Sequence, residues 1–235
     1  AKQGLEELDS SDEKRRELEA ELAKRKKAAY NSAKELSKLR KAAGEELRQR
    51  IEAGLKELSM PSVRFETELT PLGGEPGFDE TGMDEVRFLM SANAGETPGR
   101  ISKIASGGEL ARIMLVMKDV LSERDGVPAM VFDEIDEGVS GIAAQRVAEK
   151  LARLARKKQV ICVTHLPQIA AMADTHFRIA KTERDGRTYT QVTPLDREGR
   201  IRELARLHGG ENVTETTLAS AAEQLDAASN YKGGL

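Results

Sequence analysis

Asp133 and Glu134 close a short apolar run, Ala129 to Phe132, and Asp136 and Glu137 stand just beyond them in the string AMVFDEIDEGVSG. A carboxylate at the carboxyl end of a buried strand suits Mg²⁺, which takes a few carboxylates together with waters and phosphates. The glutamate beside it can polarise an attacking water as a general base. An acidic turn after a strand would use the same residues, so the run alone leaves both readings open. A second candidate is Ser106-Gly107-Gly108-Glu109. Ser106 with Glu109 three positions on forms a capping box that opens a helix. The glycines admit close backbone approach, and the helix start offers unpaired N–H groups to an anion; a well-capped helix without a ligand has the same pattern. The third candidate is Thr164-His165, ending the apolar run that starts at Val160. A histidine there, on a strand beside that of Asp133, can reach a terminal phosphate, although a lone histidine is as readily a packed or solvent-facing side chain. Cys162, in the same run, reads as a small buried hydrophobe, and His176 and His208 have no company that points to metal or catalysis.

These residues need strands and helices to hold them. From Gly107 onward the pattern alternates. A helix over about 107–122 precedes an apolar strand at Ala129 to Phe132, and a helix over about 140–156 precedes a second strand at Val160 to Thr164. A short helix at Pro167 to Met172 leads to strands over about 176–183 and 187–193, joined at the hairpin signal Asp185-Gly186. Helices over about 196–208 and 214–228 follow, with Gly209-Gly210 ending the first. Apolar strands between helices predict an α/β sheet covered on both faces, with ligands at the strands' carboxyl ends. Upstream, Val63 to Leu69 and Val86 to Ala92 read as strands separated by a glycine-rich loop over 71–82, and Asn93 to Arg100 reads as a loop.

The amino-terminal stretch is different in kind. Leu8, Leu18, Leu22, Ala29, Leu36, Leu39 and Ala43 keep an alternating three-four spacing, with Ser11, Arg15, Arg25 and Ser32 filling the gaps. Leu47, Ile51, Leu55 and Leu58 then shift to a four-four-four-three spacing, a stutter that locally unwinds a supercoil. This predicts a long coiled-coil helix ended by Met60-Pro61. The expected division is therefore an arm over 1–59 and a second unit over 60–235. A lone seam needs a partner helix, and no second heptad stretch of comparable length follows. The chain does not begin with Met and reads as a piece of a longer protein.

Composition narrows the function classes. Aromatics are 3% with no Trp, too few for a row of stacking platforms under single-stranded bases. With 37 Lys and Arg against 40 Asp and Glu the formal charge is −3, which excludes a uniformly basic nucleic-acid coat. Local basic clusters remain at Lys24 to Lys27, at Arg153, Arg156, Lys157 and Lys158, and at Arg197, Arg200, Arg202 and Arg206. A single cysteine forbids an internal disulfide and a cysteine-built zinc site and fits a reducing compartment. No apolar run approaches the roughly 20 residues of a membrane span, and the first residues are not a signal peptide.

Taken together, the three elements resemble the ATP-binding-cassette ATPases, in the branch that includes SMC-type proteins. SGGEL matches the signature motif, MVFDEID the Walker B strand with its catalytic glutamate, and the strand-end His165 the switch histidine. The closer likeness is to the RecN family of bacterial DNA repair proteins. It is carried by FLMSANAGETPGRISKIASGGELARIMLVMK, VFDEIDEGVSG, VTHLPQIAAMAD and GRIRELARLHGG, over roughly residues 60–228.

The resemblance implies the carboxyl-terminal lobe of an ABC/SMC-type ATPase head, preceded by the descending coiled-coil arm. Asp133 would hold Mg²⁺, Glu134 would orient and deprotonate the hydrolytic water, and His165 would sense the γ-phosphate. Ser106, Gly107, Gly108 and Glu109 would face ATP bound on a second head, and Asp136, at the D-loop position, would support that head-to-head interface. One departure stands out: no G-x-x-x-x-G-K-[ST] occurs, so the phosphate cradle is missing. The implied partners are therefore the amino-terminal half of the same protein, carrying Walker A and the ascending arm, a second head in a homodimer, and DNA bound without sequence preference. The implied setting is the bacterial cytoplasm at the nucleoid, with no membrane, and this half alone is expected to be inactive. Another SMC-like chromosome or repair ATPase, and a non-catalytic coiled-coil tether, are the alternative readings.

Overall fold

The computed structural model describes residues 2–91, 93, 95–100, 107–122, 126–184, 187–210 and 212–235. Helix α1 (Lys2–Glu57) is one unbroken run of 56 residues, about 84 Å at 1.5 Å per residue. Its upper face is laced by pairs one turn apart, such as Arg25 to Glu21 at 2.6 Å and Arg48 to Glu52 at 2.9 Å. Pairs of this kind add about 0.2–0.5 kcal/mol each to a helix. Leu18, Leu22 and Leu39 are about 60% exposed, so the upper seam has no partner among the described residues. Towards the carboxyl end the same helix sinks into the core, where Ile51, Leu55 and Leu58 are fully buried.

The end of α1 differs from the expectation. Pro61 does not break the helix, because the helix has already stopped. Met60 N–H donates to the Leu55 carbonyl at 2.9 Å and Ser59 N–H to the Lys56 carbonyl at 3.2 Å, with Ser59 at φ +63°. That is a Schellman closure, in which a left-handed residue turns the chain and proline follows it.

Strand β1 (Arg64–Pro71) pairs antiparallel with β2 (Asp84–Ser91), with Phe65 opposite Met90. The region expected to be a loop over 93–100 contributes a two-residue strand, β3 (Gly99–Arg100), against Leu89 and Met90. Strand β1 lies on α1, where Glu52 accepts the Phe65 N–H at 3.2 Å. The β1–β2 loop climbs back along the helix: Arg40 donates to the Thr81 carbonyl at 2.7 Å, Ser37 donates to Asp84 at 3.0 Å, and Tyr30 meets Phe78 at 6.3 Å between ring centres. The base of the long helix is thereby part of the globular core.

The second half is built on β4 (Ala129–Phe132) parallel to β5 (Gln159–Cys162), joined through α3 (Gly141–Ala155). Helix α2 (Gly107–Leu121) precedes them, and α4 (Pro167–Met172) follows. Then come the hairpin β6 (Phe177–Arg184) and β7 (Arg187–Pro194), and the helices α5 (Arg197–Gly209) and α6 (Glu215–Gly233). Asp196 caps α5 by accepting the Gly199 N–H, and Thr214 with Thr217 forms a reciprocal box at α6. The predicted α/β alternation is present, and α6 runs five residues past its predicted end. Lys150, buried on α3, ties three helices together through Asp119 of α2 at 2.9 Å and Glu57 of α1 at 3.3 Å.

Among the described residues the covering of the parallel pair is one-sided. Met130 and Phe132 are buried under the helices, whereas Val131, Ile161 and Val163 on the other face are between 49% and 69% exposed. The sequence pattern records that both faces are apolar; it carries no record of where the second cover comes from.

Candidate functional site

Parallel pairing puts two of the three candidate elements side by side. Phe132 is opposite Cys162, and the Val163 N–H donates to the Phe132 carbonyl at 2.9 Å, so the ladder runs to the last strand residue. Asp133-Glu134 and Thr164-His165 therefore leave neighbouring strands at the same edge, where ligands of α/β folds sit. Asp133 and Glu134 are both solvent-exposed. Asp133 Oδ1 accepts the Glu134 N–H at 3.0 Å. Glu134 has φ +56°, a left-handed backbone that a side-chain-bearing residue adopts only where its surroundings over-determine it. A tight turn follows, in which the Glu137 N–H donates to the Glu134 carbonyl at 3.1 Å.

The third element meets the first. The amino end of α2 lies against this turn so closely that side chains at its glycines would collide with it. A Cβ on Gly107 would stand 3.3 Å from a carboxylate oxygen of Glu134 and of Glu137, and one on Gly108 would stand 2.5 Å from the Glu137 carbonyl oxygen. Carboxylates beside a helix amino terminus are electrostatically favoured there. Ser106, and with it the predicted capping box, lies outside the described residues; Glu109 is half-buried on α2.

Asp136 is drawn inward. It is 4% exposed, and its Oδ2 accepts from Thr164 Oγ1 at 2.6 Å and the His165 N–H at 2.9 Å, with His165 Nδ1 at 3.1 Å. The His165 side chain is 74% exposed. Behind the turn, Arg112 of α2 is buried and donates to the Glu137 carbonyl at 2.7 Å. Burial lowers its pKa from the ordinary guanidinium value, while Glu109 and Glu137 favour its charge. Sequence reasoning passed over this arginine. The available signal was a lone cation inside the apolar run ARIMLVM, four residues after Gly108.

Among the described residues no group of three or more His, Cys, Asp or Glu is arranged to hold a metal. The fit to Mg²⁺ rests on Asp133 alone: an exposed carboxylate with one oxygen engaged by the Glu134 N–H, suited to an ion that keeps waters and takes phosphates. Cys162 is half-buried beneath this edge, and burial, with Asp136 and Asp133 nearby, pushes its thiol up to about 12. From its ordinary value of 9.0 this cuts the thiolate fraction roughly a thousandfold. A chromogenic disulfide reagent at about pH 8 is therefore expected to label the native chain far more slowly than the urea-unfolded chain; equal rates would contradict the burial.

The chain is similar to known proteins. The chain is 40% identical to the DNA repair protein RecN of Bacillus subtilis over 97% of its length, and 38% identical to that of Treponema pallidum over its whole length. It is also 40% identical to RecN of Vibrio cholerae over 96% of its length. The chain is thus similar to RecN proteins along nearly all of its own length. It spans about two-fifths of the length of these RecN relatives, 42% of the first and 41% of the second. No family model matches the chain. Among solved structures, it resembles the Smc head domain with a coiled coil and joint from Pyrococcus yayanosii (TM-score 0.58, 25% identity), covering 84% of this chain and 36% of that one. A second Smc head domain, with an extended coiled coil and bound to the C-terminal domain of ScpA, comes from Pyrococcus furiosus (TM-score 0.52, 24% identity); the match covers 83% of this chain and 46% of that one.

The basic clusters of this chain are unequal. Lys24 to Lys27 are exposed on α1, with Arg25 paired to Glu21. Arg153 pairs with Glu57, and Lys158 donates to the Val127 carbonyl. The third cluster is spent on structure: Arg197 pairs with Asp226, Arg202 with Glu198 and Arg206 with Glu203, while Arg200 donates to the Ala171 and Ala173 carbonyls at the end of α4. Among the described residues no helix is long and apolar enough to cross a membrane.

Proposed function

We propose that this chain is the carboxyl-terminal lobe, over 60–235, and the descending coiled-coil arm, over 1–59, of a RecN-like SMC-family ATPase acting in DNA double-strand-break repair. The observation that carries this is the convergence of Asp133-Glu134, Thr164-His165 and the glycine end of α2 at one edge of the β4–β5 pair. Walker A, absent from this sequence, comes from the amino-terminal half of the same protein. The open face with Val131, Ile161 and Val163 is where a lobe of that kind has apolar surface to bury.

In the completed head ATP is the substrate. Asp133 holds Mg²⁺, whose chemistry there is to neutralise charge developing on the phosphates. Glu134, exposed beside Asp133 on its left-handed turn, orients the attacking water and accepts its proton. His165 meets the γ-phosphate with its ring. Gly107 and Gly108, with Ser106 and Glu109 around them, present the start of α2 to nucleotide held by a second head, so that ATP joins two heads and hydrolysis separates them. The exposed seam of α1 pairs with the ascending arm. DNA is held through phosphates, without sequence preference and with strong salt dependence. The setting is the bacterial cytoplasm, at the nucleoid.

The test is Mg²⁺-dependent ATP hydrolysis by this chain, by the amino-terminal half, and by the two together, each with and without DNA. Turnover in the mixture only is the expected result. Silence in a mixture shown to assemble would favour a non-catalytic tether.

A further inference from the structure

We propose that Asp136 is a positioning residue for His165 within its own chain, fixing the imidazole by Nδ1 so that Nε2 is the nitrogen offered to the phosphates. The proposal rests on the ATPase reading but goes beyond it, because the resemblance gives Asp136 a place at the head-to-head interface.

Three observations carry it. First, Asp136 is 4% exposed, so its carboxylate has little surface left to offer a second head. Second, a single oxygen of that carboxylate serves three donors on the switch segment: the Thr164 hydroxyl at 2.6 Å, the His165 main-chain N–H at 2.9 Å and the ring Nδ1 at 3.1 Å. Thr164 Oγ1 in turn accepts the Leu166 N–H at 3.0 Å, which extends the network to the start of α4. Third, the ring that receives this support is itself 74% exposed, so packing does little to orient it. An ionised carboxylate can only accept, and the Nδ1 contact therefore selects the ring form that carries hydrogen on Nδ1. Without it, the ring would turn about χ1 and χ2 and populate both tautomers. A buried carboxylate orienting an exposed imidazole is the arrangement by which a third group aligns a reacting ring, here formed by residues 28 and 29 positions apart.

The experiment uses the completed head and four proteins: wild type, Asp136→Ala, His165→Ala and the double variant. If Asp136 acts through His165, each single change lowers kcat roughly 10- to 100-fold with KM within about threefold, and the double variant is no slower than His165→Ala alone. Asp136→Asn keeps an oxygen able to accept all three hydrogens and should recover most of the loss. Losses that multiply in the double variant, or full kcat in Asp136→Ala, would overturn the proposal. A second readout does not need turnover: the imidazole nitrogen chemical shifts of His165, assigned by their disappearance in His165→Ala. Wild type should show the Nδ1–H form and Asp136→Ala a tautomer mixture, whereas unchanged shifts would again overturn it. If wild type and Glu134→Gln are both silent, the ATPase reading fails and the nitrogen shifts alone decide the role of Asp136.

Discussion

Glu134→Gln in the completed head is expected to lower ATP turnover by about 10²–10⁴-fold, the contribution that the proposed general base would make. The substitution keeps the shape of the side chain and leaves the Asp133 contact to the Glu134 N–H in place, because that contact uses the backbone. It removes only the capacity to take a proton. ATP-dependent association of heads should survive and, with hydrolysis blocked, persist. Size-exclusion chromatography with and without ATP, beside a phosphate-release assay, reads both effects. Unchanged turnover would remove Glu134 from the chemistry, and a loss of turnover together with a loss of ATP-dependent association would point to a folding defect. The left-handed backbone at φ +56° makes this position sensitive in a second way. A β-branched residue there, as in Glu134→Val, should cost stability that Gln does not.

Gly108→Ala is the second large effect, and here the cause is steric. The added Cβ would stand 2.5 Å from the Glu137 carbonyl oxygen, 2.8 Å from Glu137 Cβ and 3.1 Å from its carbonyl carbon. Two of these three atoms are backbone and cannot rotate aside, so α2 and the turn over 134–138 must move apart. That also pulls Arg112 from the same carbonyl, which it now reaches at 2.7 Å. Overpacking of this kind costs about 1–3 kcal/mol, and the displaced turn would carry Glu134 away from the position proposed for it. Gly107→Ala is the internal control. Its Cβ would meet only the carboxylate ends of Glu134 and Glu137 at 3.3 Å, and those can swing away. Thermal unfolding followed by circular dichroism should rank wild type, then Gly107→Ala, then Gly108→Ala well below, with turnover of the completed head falling in the same order. Equal stability for the two alanine variants would refute the close packing of α2 on the turn.

Both predictions stand on contacts that differ in how far they were legible beforehand. The runs AMVF and VIC announced strands, and α2, α3, α4 and α5 begin and end within a residue or two of their predicted limits. The heptad spacing announced the long helix. Its end was misread, because proline is a conspicuous signal and a left-handed serine is not: the bonds from Ser59 and Met60 back to Lys56 and Leu55 close the helix before Pro61 is reached.

Residue pattern alone sets the order of all elements but β3, the acidic and histidine residues at the strand ends, and the absence of a phosphate cradle from this sequence. These depend on period, caps and residue type, which act over a few positions. It is the packing of distant segments that brings the glycine end of α2 against Glu134 and Glu137, buries Arg112 behind the same turn, and turns Asp136 inward to hold Thr164 and His165. Those facts follow from which strand lies beside which and how deeply each side chain is buried. A carboxylate whose partners are 28 and 29 residues away carries no mark of them in its neighbours along the chain.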